Sequence, residues 1–407
     1  MPLLKFVREN AAFLLAGVLI AFTSSYGQTY FISIFAGQIR EEFSLSHGNW
    51  GLIYTVGTTI SAMTMVWAGA LTDRFRTRQL GLIVMVGLAI ASLAMAAVPS
   101  AMMLIAVIFL LRLTGQGMMS HLAMVSMARW FVARRGTAMS IASMGFALGQ
   151  AVLPIAFVAL LGIFDWRLLW VGAALLVMLT LPVIISLLRL ERTPQSVAES
   201  TQSTGMGNRH WTRNEVIRHP LFWMMIPALL GPPAWGTALF FQQVHLVEVK
   251  GWELAQWVAL MPIFTVMMIG SNFSCGLAID KLGSPAAISV YMIPFALGSL
   301  IIGASGSLTM AGLGLAVFAI GNGMQTTTPG AFWAEFFGTR HLGSIKAVAS
   351  AIMVFGSAIG PGLTGVLIDY GIDFPQQLFG IAVYFACAGA LAVFGVLRAR
   401  SALPAPA

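Results

Sequence analysis

GALTDRFRTR, residues 69–78, and GLAIDKLG, residues 276–283, decide how this chain is organised. Gly69 and Asp73 of the first stretch recur as Gly276 and Asp280 of the second, at an offset of 207, and Arg74 recurs as Lys281. The same offset aligns GTAMSIASMGFALGQAVLP (136–154) with GSIKAVASAIMVFGSAIGP (343–361). Six of those 19 positions are identical: Gly136/Gly343, Ala142/Ala349, Ser143/Ser350, Gly149/Gly356, Ala151/Ala358 and Pro154/Pro361. One offset shared by separate segments marks a tandem repeat. In a membrane chain such a repeat implies two halves about an axis along the membrane normal, with a substrate path at their interface.

Composition puts the repeat in lipid. The chain has 407 residues, 58% of them hydrophobic and 9% charged, whereas a soluble domain carries about 25% charged residues. Twelve apolar runs, roughly 11–36, 49–71, 79–98, 101–128, 136–163, 167–189, 221–247, 254–279, 285–304, 308–333, 343–368 and 376–398, are each long enough to cross a bilayer. They do not alternate as barrel strands would. Backbone satisfied within each segment means helix. The expectation is an all-α membrane protein of 12 transmembrane helices in two pseudo-symmetric six-helix bundles: 1–189, a cytoplasmic linker 190–220 and 221–407. The polar linker is expected to hold a short amphipathic helix near Glu215 to Arg218.

The net charge of +8 is a topology signal. With both termini cytoplasmic, 18 of the 22 Lys and Arg fall on the cytoplasmic side, three (Arg40, Arg167, Lys250) on the other, and one, Arg112, inside a span. That is the positive-inside pattern of a multi-pass protein of a bacterial-type inner membrane, and it displaces nucleic-acid binding as the reason for the basic excess. The first apolar run is too long for a signal h-region and reads as a retained span. Cys275 and Cys387 lie in spans 8 and 12 without metal-ligand neighbours and read as small buried hydrophobes.

With these motifs in place, the chain resembles the major facilitator superfamily over essentially its whole length. GALTDRFRTR resembles the superfamily's loop signature after span 2, GLAIDKLG its echo after span 8, RLTGQG (112–117) its Arg-and-Gly signature in span 4, and Gly145, Gly149 and Pro154 its glycine-rich span 5. The resemblance implies alternating access by rocking of the halves. It implies an interdomain latch built on Gly69, Asp73, Arg74, Gly276 and Asp280, with Arg129, Arg134 and Arg135 as nearby cations. It also implies that the glycine faces of spans 5 and 11 meet the opposite half and hinge there. Small residues four apart also let helices pack closely, which is the simpler role for Gly145, Gly149, Gly356 and Gly360. Pro154 and Pro361 bend their helices by removing a hydrogen bond.

Arg112 is the most informative residue. It is the single Lys, Arg, Asp or Glu in a span interior, and its counterpart at the repeat offset is Ala319. A charge at that depth needs a partner or a wet cavity. Two readings stay open: a cavity cation for substrate, or a structural Arg held by carbonyls. Other polar residues at depth are Tyr26, Gln28, Thr29, Tyr54, Gln116, Gln242, Asn322 and Gln325. Because spans 1, 4, 7 and 10 line the pathway in the superfamily, the resemblance makes Arg112, Gln28, Tyr26, Gln116, Asn322, Gln325 and Gln242 the substrate-binding candidates. Gln116 is placed one turn from Arg112 on the same face. His121 reads as a hydrogen-bonded core histidine.

All fourteen carboxylates are expected in loops or at helix ends, Glu335 and Asp369 just beyond spans 10 and 11. Neither GxxxxGK[ST], HExxH nor GxSxG occurs, so ATP-driven transport and hydrolase chemistry lack their motifs and no enzyme or cofactor is expected. An unpaired buried cation fits a small organic anion, carboxylate-like, carried by proton symport or exchange, with the proton travelling on the substrate. The sequence is somewhat similar to the monocarboxylate and oxalate–formate branch, although span 8 lacks that branch's basic residue. Efflux of a hydrophobic or drug-like compound is the alternative, supported by 24 Met. A transporter-like receptor or assembly factor ranks third. The expected partners are the solute, protons and the bilayer, and the expected state is a monomer.

Overall fold

The computed structural model describes residues 2–69, 71–131, 135–189, 204–338 and 340–403. Every regular element among them is helical. Eleven helices are long and apolar enough to cross a membrane, and one bent pair brings the number to twelve. In chain order they are α1 (Ala11–Gly27 with Thr29–Glu42), α2 (His47–Ala68), α3 (Thr77–Ala96), α4 (Ala101–Met127), α5 (Thr137–Leu161), α6 (Trp166–Leu187), α7 (Pro220–Phe241), α8 (Leu254–Ile279), α9 (Lys281–Ala304), α10 (Leu308–Phe337), α11 (Val348–Asp369) and α12 (Phe374–Arg400). The chain is therefore a multi-pass, all-α membrane protein.

It divides into two compact units, Met1–Glu199 and Ser200–Ala407. Within the first, α1 packs on α5, α2 on α4 and α3 on α6; within the second, α7 packs on α11, α8 on α10 and α9 on α12. Equivalent helices thus choose equivalent neighbours.

The glycine faces serve close helix packing within each unit. A Cβ on Gly145 would lie 1.9 Å from the Val18 carbonyl oxygen, and one on Gly149 1.9 Å from Ser25 Oγ. A Cβ on Gly356 would meet Leu230 O at 2.8 Å, and one on Gly360 Ala234 O at 2.1 Å. These faces therefore seat α5 on α1 and α11 on α7, each inside its own unit. Close backbone approach is what small residues allow in lipid, where packing drives association. Pro154 and Pro361 both lie inside their helices.

Two spans are not the continuous helices expected. α1 bends by 49° at Gln28, whose backbone is extended (φ −87°, ψ 152°) after a 3₁₀ turn at Ser24–Gly27. α7 ends at Phe241, and a separate helix, Gln243–Lys250, follows. α10 runs on to Phe337, so Glu335 lies in its last turn rather than beyond it, and Asp369 is the last residue of α11.

Part of the expected linker is folded. Residues 190–203 lie outside the described residues. Beyond them, Thr212 and Glu215 form a capping box that starts a helix at Arg213–Arg218. This segment is tied to the second unit: Trp211 N donates to Phe337 O at 3.0 Å and Gly207 N to Ala402 O at 2.8 Å. Trp211 and His219 stack edge-on with Phe337. His219 also starts α7, its Nδ1 accepting the Leu221 N–H at 3.2 Å. Burial, then the Arg209 charge, push the His219 pKa down.

Two of the three cations expected on the less basic side, Arg167 and Lys250, act alike. Arg167 Nη1 donates to Ala96 O at 2.7 Å and Nη2 to Val98 O at 2.8 Å, while its guanidinium pairs with Glu42. Lys250 Nζ donates to Gly303 O at 2.8 Å and Ser305 O at 2.7 Å. Gly303 and Ser305 stand 207 positions after Ala96 and Val98. Each cation therefore closes the C-terminus of α3 or α9, where unsatisfied carbonyls carry partial negative charge.

Candidate functional site

The site grows from the crossing of α1 and α4. A Cβ on Gly27 would lie 2.1 Å from Leu111 O, and one on Gly115 2.6 Å from Gly27 Cα. Two glycines therefore let the backbones touch. The bend beside them has a second effect. The Phe31 N–H, which would bond Gly27 O in a continuous helix, bonds Gln28 O instead. The Gly27 carbonyl is left facing α4.

Arg112 uses that carbonyl. It is 1% exposed and opens a π-helical stretch, Arg112–Met119, inside α4. Its Nη1 donates to Gly27 O at 3.3 Å and to Thr29 Oγ1 at 3.2 Å. The guanidinium carbon lies 5.3 Å from the centre of the Tyr54 ring, within cation–π range. The Thr29 and Tyr54 hydroxyls are hydrogen-bonded at 2.5 Å. Arg112 Nε and Nη2 are buried with no hydrogen-bond partner among the described residues. The guanidinium is thus held by one nitrogen, while two keep donor capacity.

The other first-unit candidates gather on α1 and α4. Gln28, 7% exposed, donates from Nε2 to Ser120 Oγ at 3.4 Å. Tyr26 is buried in an aromatic cluster, 5.2 Å from Phe31 and 6.4 Å from Phe157 between ring centres. Gln116 is half-buried. It falls inside the π-helical stretch, so the α-helical spacing that put it directly beside Arg112 does not apply there. Gly27, Gly115, Thr29, Tyr54 and Ser120 are the site-building residues that the sequence reading did not select. Thr29 and Tyr54 were visible as polar groups at depth, and Gly115 as part of RLTGQG.

In the second unit, Gln242 is committed to holding helices together: its Nε2 donates to Thr364 Oγ1 at 3.1 Å and Pro361 O at 3.4 Å. Asn322 and Gln325 are half-buried on α10. Both amide atoms of Gln325 are buried without a partner among the described residues. One turn along from Asn322, the Thr326 hydroxyl donates to Asn272 Oδ1 on α8 at 2.7 Å.

Of the latch residues, Gly69 O accepts from Thr72 Oγ1 at 2.7 Å, and that hydroxyl lies 3.5 Å from Nε2 of His121, the half-buried histidine of α4. A Cβ at Gly276 would meet open space. The side chains of Asp73, Arg74, Arg129, Arg134, Arg135 and Asp280 lie outside the described residues. At the second loop, Gly283 takes a positive φ of 77°, and the Glu335 carboxylate accepts the Ser284 N–H at 2.7 Å. That places an acid at the start of the following helix, where it is favourable.

No curated protein matches the chain in sequence. Among solved structures it is similar to a bacterial homolog of the human lysosomal transporter Spinster in its inward-facing, occupied form, at TM-score 0.74 and 17% identity, covering 97% of this chain and 98% of that one. The unoccupied form gives TM-score 0.71 and 16% identity over 98% and 99%. The nucleoside transporter NupG gives TM-score 0.68 and 12% identity over 95% and 99%. At such identities the likeness is one of fold. The family model of the Major Facilitator Superfamily matches residues 17–361, and the chain accordingly belongs to that superfamily of transporters.

Proposed function

We propose that the chain is a secondary active transporter that moves a small organic anion of carboxylate type by alternating access, with proton symport or exchange as its coupling. The observation that carries this is Arg112: fully buried, with two guanidinium nitrogens unfilled among the described residues. A carboxylate would supply both the missing charge and the missing acceptors in a forked geometry. Gln325, a buried amide of the second unit with no partner among the described residues, stays a proposed substrate-binding residue. Gln28, Gln116 and Asn322 stay in the proposed site, whereas Gln242 supports it by holding α7 to α11. Asp73, Arg74, Arg129, Gly69, Gly276 and Asp280 form the proposed latch at the two loop signatures. Asp73→Asn should lower transport while insertion stays intact.

The test is thermal-shift screening of the purified protein against carboxylates and lipophilic cations, wild type beside Arg112→Met, because a ligand that binds only the folded state stabilises it. Carboxylates should stabilise the wild type and leave Arg112→Met unmoved. Equal shifts from lipophilic cations in both proteins, with none from carboxylates, would overturn the anion reading in favour of efflux of a hydrophobic compound. A second reading rests on the bonds of Nη1 and the Tyr54 contact: Arg112 as a clasp between α1, α2 and α4. Loss of folded protein in Arg112→Met would select it.

A further inference from the structure

The place where α1 bends has a counterpart in α7. Residues 24–28, SSYGQ, hold the 3₁₀ turn and the 49° bend of α1. At the repeat offset of 207 they correspond to residues 231–235, GPPAW, with two adjacent prolines and a further one at Pro227. α1 has no proline at its bend and is bent. α7 has two at the matching place and stays one α-helix from Pro220 to Phe241. A proline inside a helix removes the bond to the carbonyl four residues back and favours a kink. Pro232 therefore denies a backbone donor to Ala228 O, and Pro233 denies one to Leu229 O. Gly231 beside them weakens the helix further.

What α7 lacks in its own backbone comes from neighbouring helices. The Tyr291 hydroxyl on α9 donates to Ala228 O at 2.9 Å. Both residues are 0% exposed, so bulk water cannot take the place of the phenol, and an unfilled carbonyl there is costly. The Tyr384 hydroxyl on α12 donates to Pro227 O at 2.8 Å. Its ring covers Gly231, where a Cβ would lie 2.6 Å from Tyr384 Cε1. Freed carbonyls inside a membrane are tolerated where neighbouring helices fill them. Tyr291 answers a demand that Pro232 creates. Tyr384 adds to a carbonyl whose helical donor, the Gly231 N–H, is still present in the chain.

We infer that residues 231–235 of α7 are a hinge, the counterpart of the bend in α1, and that the Tyr291 hydroxyl is the clasp that keeps this hinge helical in the present conformation. Release of that one bond uncovers Ala228 O and lets α7 bend where α1 is already bent. A packing role for Tyr291 would need its ring and not its hydroxyl. All of these parts belong to the second unit, and they act whatever solute is carried.

A double-mutant cycle on the full chain in detergent tests this, read by thermal unfolding and by hydrogen exchange of the α7 amides at 234–238. Tyr291→Phe keeps the ring and removes the donor. It should lower the unfolding temperature by about 2–4 °C. It should also speed exchange at 234–238 about tenfold, the order expected for one buried carbonyl left without a donor. Pro232→Ala gives Ala228 O a backbone donor and should slow that exchange below the wild-type rate. In the Pro232→Ala background, Tyr291→Phe should then move both readouts far less than it does in the wild type, because the two changes act on one carbonyl. Tyr384→Phe is the control, and its effect should be the same in both backgrounds. Should Tyr291→Phe fail to insert, Pro232→Ala alone gives the reading: slower exchange at 234–238 supports the hinge, and an unchanged rate overturns it. Equal effects of Tyr291→Phe in the two backgrounds, unchanged exchange at 234–238, faster exchange confined to α9, or rescue of Tyr384→Phe by Pro232→Ala also overturns the inference.

Discussion

Gly115→Ala tests the crossing on which the Arg112 site is built. The added methyl would lie 2.6 Å from Gly27 Cα, 2.7 Å from Gly27 N and 3.2 Å from Ser24 O. Carbon atoms rest at about 3.5–4.0 Å, so the two helices must part by roughly 1 Å. The nearest atoms are all backbone, and no side chain is there to swing aside. Overpacking of this kind costs about 1–3 kcal/mol, or about 2–12 °C of unfolding temperature for a unit of some 200 residues. The Nη1 bond to Gly27 O, already 3.3 Å long, would be lost with the separation. Gly172→Ala on α6 is the reference, because a Cβ there meets nothing within 4 Å. Thermal unfolding of both variants in one detergent gives the comparison. Gly115→Ala should unfold several degrees lower and Gly172→Ala close to wild type. If the two unfold within a degree of each other, the contact is not rigid and the account of how Arg112 is seated fails.

Lys250→Met should destabilise the second unit by about 1–2 kcal/mol, since two C-terminal carbonyls of α9 lose their donor; Lys250→Arg should recover most of it, and thermal unfolding reads both. The folded segment before α7 should respond to pH through His219. Its pKa lies below the ordinary value of 6.5, so the unfolded state binds the proton more readily and stability rises with pH across the interval between the two values. The segment should be held fully above about pH 6.5 and loosen as pH falls below it, as hydrogen exchange at the Trp211 amide would show. His219→Asn, which keeps an acceptor for the Leu221 N–H without titrating, should flatten that response.

Most of the helical framework was readable because hydropathy records where lipid must be met. The repeat was readable because both halves keep glycine, acid and cation at matching places around their loops. The bend at Gln28 was not read, although Thr23 to Thr29 gathers Thr, Ser, Gly and Gln in the middle of the span. The close approach to α4 at Gly27 and Gly115 accompanies the bend and could not be read from the sequence of α1 alone. The π-helical stretch escaped for a similar reason: composition does not say whether an N–H reaches back four residues or five. Polar composition made residues 204–219 look like a free connector, although Trp211 and Met206 supplied apolar anchors. The glycine spacing on α5 announced a close neighbour without naming it, and the neighbour is α1. Arg112 stood out for its charge, yet Gly27 O, one of its two acceptors, is backbone and invisible to residue type.

The caps on α3 and α9 bear on how the two halves could be exchanged. Their acceptor carbonyls correspond position for position, but the donors do not. Arg167 comes from the start of α6, and Lys250 from the helix after α7. The match lies in the electrostatic demand, and each half meets it from a different point along its chain. Swapping α9 for α3 alone between halves would bring the acceptors and leave the donor behind. A workable graft in the first half must carry α3 through the start of α6, and in the second the stretch from Gln243 to the end of α9. The natural unit of recombination in this chain is therefore larger than the helix pair that hydropathy or sequence alignment would suggest.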